Sequence, residues 1–74
     1  MFTLAEIPAG TSVTVSRLES HPETCQRLRE LGFCENATIR CVTNGSSQLI
    51  CEVCNTRIGL NYTTANSIIV SPLQ

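Results

Sequence analysis

Five of the 74 residues are cysteines, and no other side chains in the sequence are better suited to chemistry. Cys51-Glu-Val-Cys54 has the Cys-x-x-Cys spacing of metal clips and redox pairs. In a strand, however, residues three apart point to opposite faces, with Cα atoms roughly 10 Å apart, too far to share a metal or a disulfide. A redox Cys-x-x-Cys opens a helix, whose N-terminus lowers the thiol pKa, whereas this one is embedded in a β pattern. A zinc clip needs a second Cys pair or paired histidines, and His21 is the only histidine. The thiols therefore read as structural, as small buried hydrophobes. Cys25 falls on a helix stripe and is expected in the core. Cys34, in a turn, is the thiol expected to be exposed. Cys41 and Cys51 come out as near neighbours across a hairpin; directly opposite, they would approach disulfide distance, and burial as thiols is the favoured reading. An odd number excludes a fully paired disulfide framework within one chain.

The remaining polar residues offer little to a catalyst. His21 lies in the first turn of a helix, with no neighbouring acid or nucleophile pattern. No glycine-rich phosphate loop, Ser/His/Asp pattern or carboxylate pair appears. The expectation is no enzyme, no catalytic or metal residue and no cofactor. Glu23, Gln26 and Glu30 form an outer helix face flanked by Arg27 and Arg29. The plain reading is a solvated face with a Glu23–Arg27 pair. The functional reading is a docking surface on Gln26, Arg27 and Glu30. All five basic residues are scattered arginines and the net charge is −1, which disfavours nucleic acid. No apolar run approaches the ~20 residues that span a bilayer. The N-terminus lacks the basic region of a signal peptide, so the expected location is cytoplasmic and the thiols reduced.

These residues are positioned by short elements. At 42% hydrophobic and 15% charged, the chain reads as one globular domain, residues 1–74. Ser20 to Gly32 reads as its one full helix. Ser20 and Glu23 form a capping box, Pro22 sits in the first turn, Gly32 closes the helix in the left-handed conformation, and Cys25, Leu28 and Leu31 form one apolar stripe that faces the core. Ser12 to Leu18 alternates as a half-buried strand. Further strands are read at Ala37 to Val42, Gln48 to Cys54, Arg57 to Asn61 and Ser67 to Val70. A single helical turn follows at Thr63 to Asn66, with Thr63 as its cap. Parity argues against a two-residue turn at Asn44-Gly45. A loop with an odd number of residues, three or five, groups Ile39 and Cys41 with Leu49, Cys51 and Val53 on one apolar face, and register follows the buried face. Five strands with one short helix after the first suggest a small closed or nearly closed barrel.

The order of these signals resembles the FeoA family, the small SH3-like barrel domain of bacterial ferrous-iron uptake systems. Leu4-Ala-Glu-Ile-Pro-Ala-Gly10 looks like its opening, and Arg27-Leu-Arg-Glu-Leu-Gly-Phe33 like its Arg-Leu-x-Glu-Leu-Gly signature. Ala37 to Val42 looks like its Thr-x-Ile-x-Val strand, and Arg57-Ile-Gly-Leu60 with Ala65 and Ile68-Ile-Val70 like its ending. Glu35-Asn36 stands where the family has Pro-Gly, but Asn can take the same left-handed conformation. The hairpin loop at Asn44 to Gln48 lacks the family's usual Pro, and the cysteines are peculiar to this sequence. The resemblance implies a mainly β, SH3-like barrel. It also implies a non-catalytic accessory role in ferrous iron uptake, docking on a FeoB-type membrane transporter with a cytoplasmic GTP-binding domain. The alternatives are a thiolate-based transition-metal module, the barrel of a DtxR-type repressor (which needs a helix-turn-helix upstream), or a homo-oligomeric interaction module.

Overall fold

The computed structural model describes residues 2–45 and 48–73. The chain runs β1 (Phe2–Thr3), a 3-10 turn (Leu4–Glu6), β2 (Ser12–Leu18), α1 (Pro22–Leu31), β3 (Thr38–Asn44), β4 (Leu49–Val53), β5 (Thr56–Leu60), α2 (Tyr62–Ala65) and β6 (Ile68–Pro72). Six strands form one antiparallel sheet in the order β1-β6-β2-β3-β4-β5. This is the mainly β, SH3-like barrel expected, with one strand more, because the two residues of β1 pair with Val70 and Ile69. The sheet is not closed: β1 and β5 are its two edges. Side chains tie the segment around β1 to the rest of the fold: Asn44 Nδ2 of β3 donates to the carbonyls of Ala5 and Ile7 at 3.3 and 2.9 Å, and Thr3 Oγ1 to Asn66 Oδ1 at 3.3 Å. Tyr62 adds its hydroxyl to Asn44 and to the Gly45 carbonyl.

The core follows from strand alternation. Val13 and Val15 of β2, Ile39 and Cys41 of β3, and Leu49, Cys51 and Val53 of β4 all point inward and are buried. The apolar grouping anticipated for the hairpin is present, but its cause is different. Asn44 pairs with Leu49, so the loop 45–48 has an even length, and parity is restored by a bulge at Val42, between the pairs Cys41–Cys51 and Thr43–Ile50. One extra residue on one strand does the work of an odd loop. The conformation of Ser46 and Ser47 lies outside the described residues.

Helix α1 begins later than expected. Its N-cap is His21, without a side-chain hydrogen bond, and Pro22 occupies the first position. Pro is favoured at N1, and that shifts the start so that Glu23 is no longer three residues beyond the cap. The Ser20–Glu23 capping box therefore does not form; instead the Ser20 carbonyl accepts from Cys25 Sγ at 3.5 Å. The C-terminal end is as expected and more complete. Gly32 takes φ 109°, its N–H bonds to the Arg29 carbonyl at 3.1 Å, and the Phe33 N–H reaches back to Leu28 at 2.9 Å. These are the two bonds of a Schellman motif, with Leu28 and Phe33 as its hydrophobic contact. Leu31, expected in the core, is 42% exposed, whereas Leu28 is 3% exposed. Each three-residue step rotates 60° back around a helix of 3.6 residues per turn, so a stripe through Cys25 and Leu28 has left the core by Leu31, and Phe33 fills the place.

The bounds of β3, β4, β5, α2 and β6 also differ from those expected by one or two residues. The cap of α2 is Asn61, whose Oδ1 accepts the Thr64 N–H at 2.8 Å, not Thr63. Asn is the stronger N-cap, and it takes Asn61 out of β5. Cys54 leaves the strand altogether, because Cys54 and Asn55 have φ of 53° and 64° and form the two-residue turn between β4 and β5.

Candidate functional site

The outer face of α1 carries the anticipated docking residues. Gln26, Arg27 and Glu30 are all exposed on it. Their backbone is fixed from beneath: Cys25 and Leu28 are buried on the opposite side, and Gly32 and Phe33 lock the C-terminal turn. The turn after Gly32 is tied to the same helix. Arg29 donates through Nε and Nη2 to the two Glu35 oxygens at 3.3 and 2.9 Å. This fork raises the guanidinium pKa, mainly through the hydrogen bond and charge of Glu35, and lowers that of the Glu35 carboxyl, mainly through the hydrogen bond from Arg29. Asn36 follows in the left-handed conformation, φ 74°, as its place in the turn suggested. Arg29 is thus engaged within the chain. Among the described residues, the ion pairs are Arg29–Glu35 and Arg17–Glu19, and none joins Glu23 to Arg27. Arg27 presents its charge outward beside Glu30.

Cys25 is buried beneath α1, and the other four cysteines divide into two groups. Cys41 and Cys51 face each other across β3 and β4, fully buried, with Cys41 Sγ donating to the Ile7 carbonyl at 3.5 Å. Burial raises both thiol pKa values, and Cys51 is pushed up to about 12, with the charge of Cys41 adding to the effect. Neither is poised to be a thiolate. Cys34 and Cys54 are exposed. Cys34 Sγ donates to the Arg29 carbonyl at 3.5 Å, and Cys54 Sγ borders Gly32. Cys54 is the exposed thiol that the strand reading missed. Cys51 and Cys54 do not converge: one is inside the barrel and the other in a surface turn. His21 is exposed at the helix N-cap. Among the described residues, no three His, Cys, Asp or Glu side chains converge on a point that could hold a metal.

A third feature had no distinct sequence signal. Phe2, Ile7, Pro8, Val13, Val70 and Pro72 line a mostly apolar groove of about 240 Å³ beside β1. It depends on β1, whose two residues are too few to show a pattern.

Residues 2–72 match the family described as the FeoA domain. The chain belongs to the FeoA family. Among similar solved structures is the zinc complex of Stenotrophomonas maltophilia FeoA, described as an SH3 domain protein and a candidate activating factor of bacterial ferrous iron transport. It is 31% identical, covers 96% of this chain and 91% of its own, and superposes with a TM-score of 0.84. Clostridium thermocellum iron(II) transport protein A is 25% identical over 97% of this chain and 46% of its own, with a TM-score of 0.87. A manganese-dependent transcriptional repressor shares the fold alone, at 17% identity over 97% of this chain and 41% of its own, with a TM-score of 0.87. No curated protein matches this FeoA chain in sequence. No helix among its described residues is long and apolar enough to cross a membrane.

Proposed function

We propose that this FeoA-family chain is a single-domain, cytoplasmic, non-catalytic accessory factor of ferrous iron uptake. It docks on the GTP-binding domain of a FeoB-type membrane transporter and modulates it. The observation that carries this reading is the family match over residues 2–72; the description of the S. maltophilia relative as a transport activating factor points the same way. The docking surface is the outer face of α1, with Gln26, Arg27 and Glu30, and the turn held by Arg29–Glu35. A face whose backbone is already locked by Gly32 and Phe33 has little backbone entropy left to lose on binding, and Arg is enriched at protein interfaces. The role needs no resident metal. Buried thiols with raised pKa values at Cys41 and Cys51 suit packing better than ligation.

The test is capture of the protein by the cytoplasmic domain of a FeoB-type transporter, comparing the parent with Arg27→Glu and Glu30→Arg. Both charge reversals are at exposed positions and are expected to leave the fold intact, which circular dichroism and melting check first. Weaker capture by each is expected. Folded variants that are captured as well as the parent would move the docking surface elsewhere on the barrel, and loss of capture by the parent itself would remove the partner.

A further inference from the structure

The two edges of the sheet are finished differently. β1 has two residues and gives way at once to a 3-10 turn, and very short edge strands are one of the ways proteins blunt an edge. β5 is five residues long, Thr-Arg-Ile-Gly-Leu, with no Pro, no Lys and no bulge. Its register shows which backbone groups it leaves open. Cys54 and Asn55 both have positive φ, a type I′ turn, so Val53 and Thr56 flank it as a hydrogen-bonded pair. Along an antiparallel ladder, bonded pairs alternate with non-bonded ones. Thr56, Ile58 and Leu60 therefore direct their N–H and C=O groups to β4. Arg57 and Gly59, opposite Glu52 and Ile50, direct theirs away from the sheet. Among the described residues, no backbone hydrogen bond outside the sheet reaches residues 56–60.

We propose that this edge is a self-association surface: β5 pairs antiparallel with β5 of a second copy about a two-fold axis at Ile58, joining the two six-stranded sheets into one. In that register Arg57 faces the partner's Gly59, and Gly59 faces the partner's Arg57. Each facing pair exchanges two hydrogen bonds, so every outward N–H and C=O of Arg57 and Gly59 is satisfied. Centring the axis on Arg57 instead would oppose two like charges and leave Gly59 beyond the pairing. The side chains fit the Ile58 register as well. Arg57 sits between Glu52 on its own β4 and a glycine that presents no Cβ. The Gln48 amide lies over Gly59, a polar group where the partner's Arg57 arrives. On the inner face, half-buried Ile58 meets the partner's Ile58 as a non-bonded pair, where Cα atoms approach to about 4.5 Å. The contact is isologous, so it closes as a dimer. One strand buries less than a standard interface, which sets a weak association, with a dissociation constant on the order of 0.1–1 mM. The proposal uses β5 and not α1, so it stands apart from the docking reading.

The test is sedimentation of the whole chain under reducing conditions from about 10 µM to about 1 mM, spanning that constant. The apparent mass is expected to climb from 8.1 kDa toward about twice that. Arg57→Pro removes an outward N–H without touching the β4 ladder, a substitution edge strands tolerate; it is expected to stay monomeric at every concentration. Should that variant fail to fold, cross-linking decides. In a Cys34→Ser, Cys54→Ser background, Ile58→Cys is expected to form a disulfide-linked dimer on mild oxidation. Thr56→Cys is expected not to, because the two copies of that residue lie about 13 Å apart along the strands. A parent that remains monomeric, a folded Arg57→Pro variant that associates like the parent, or equal cross-linking through Thr56→Cys overturns the proposal.

Discussion

The C-terminal turn of α1 has an inside and an outside, and the same residue types stand on both. Leu28 is buried and Leu31, three residues on, is exposed; Cys51 is sealed in the barrel and Cys54, three residues on, sits in a surface turn. Residue type does not separate the members of either pair. What separates them is backbone geometry: Leu31 keeps the helical period but lies 60° around from Leu28, and Gly32 then brings Phe33 back onto Leu28, whereas Cys54 with Asn55 turns the chain out of β4. A residue's place within its period, or at the turn that ends it, decides its side.

Three substitutions and one titration sharpen the contrast. The largest effect is expected inside. Leu28→Ala removes a buried side chain that touches both the helix and the barrel, and is expected to cost about 2–5 kcal/mol. In a domain this small that would unfold a large fraction of molecules, and a denaturant melt resembling the parent's would break the assignment of Leu28 to the core.

The titration concerns Cys51. Its pKa in the folded state, about 12, lies above that of an exposed thiol. The folded state thus holds its proton where the unfolded chain has lost it. The resulting stability is intact below about pH 9 and is lost as pH rises toward 12, amounting to about 2–3 kcal/mol by about pH 11. Denaturant melts against pH should show this fall, with a flatter slope for Cys51→Ala. Equal slopes in the two proteins would mean that the thiol is not sealed from water. Cys54 should show the reverse behaviour of an outside thiol, reacting quickly with a disulfide reagent in the folded protein together with Cys34, while Cys41 and Cys51 wait for unfolding.

Gly32→Ala tests the turn that divides the two sides. A side chain at φ 109° is strained by about 1–2 kcal/mol, and its Cβ would stand 3.1 Å from Val53 Cγ2 and 3.2 Å from Cys54 Sγ. A loss of about 1–3 kcal/mol is expected. A neutral substitution would mean that the turn relaxes without cost and that the Schellman bonds do not hold Phe33 in place.

Much of this architecture was legible in the residues. The alternation of Val13 and Val15 placed β2 at its observed bounds, Gly32 placed the helix end, and the apolar grouping of Ile39 and Cys41 with Leu49, Cys51 and Val53 named the inner face correctly. The parts that were not legible depend on single backbone positions. A bulge at Val42 restores a register that the loop length alone would break, and nothing in the side chain of Val42 announces it. The tight turn forms at Cys54-Asn55 and not at Asn44-Gly45, the pair with the stronger turn signature, because the buried face of β4 sets the register on both sides of that strand. β1 was invisible because two residues carry no period. The outer face of α1 was legible as a polar helix surface; the fork of Arg29 with Glu35 that ties it to the next turn was not, since the two residues are six apart and meet only because the helix ends between them.

The smallest expected effect is the one that most directly opposes inside and outside. By sequence spacing alone, Leu31 belongs to the stripe of Cys25 and Leu28, and its loss should be as damaging as theirs. By its place in the fold it is a surface residue with 42% of its area exposed, one position before a turn that carries the chain away. Truncating it removes little buried area, leaves no cavity, and replaces one strong helix former with another. Leu31→Ala is therefore expected to shift stability by no more than about 0.5 kcal/mol, with the helix signal in circular dichroism unchanged. The comparison with Leu28→Ala in the same melts is internal, since both are Leu-to-Ala changes on one helix. If the two variants lose similar stability, Leu31 is packed after all, and the placement of Phe33 as the residue that completes the stripe is wrong. If Leu31→Ala is silent in the melt yet weakens capture by the transporter domain, the exposed leucine joins Gln26, Arg27 and Glu30 as an apolar contact on the docking face.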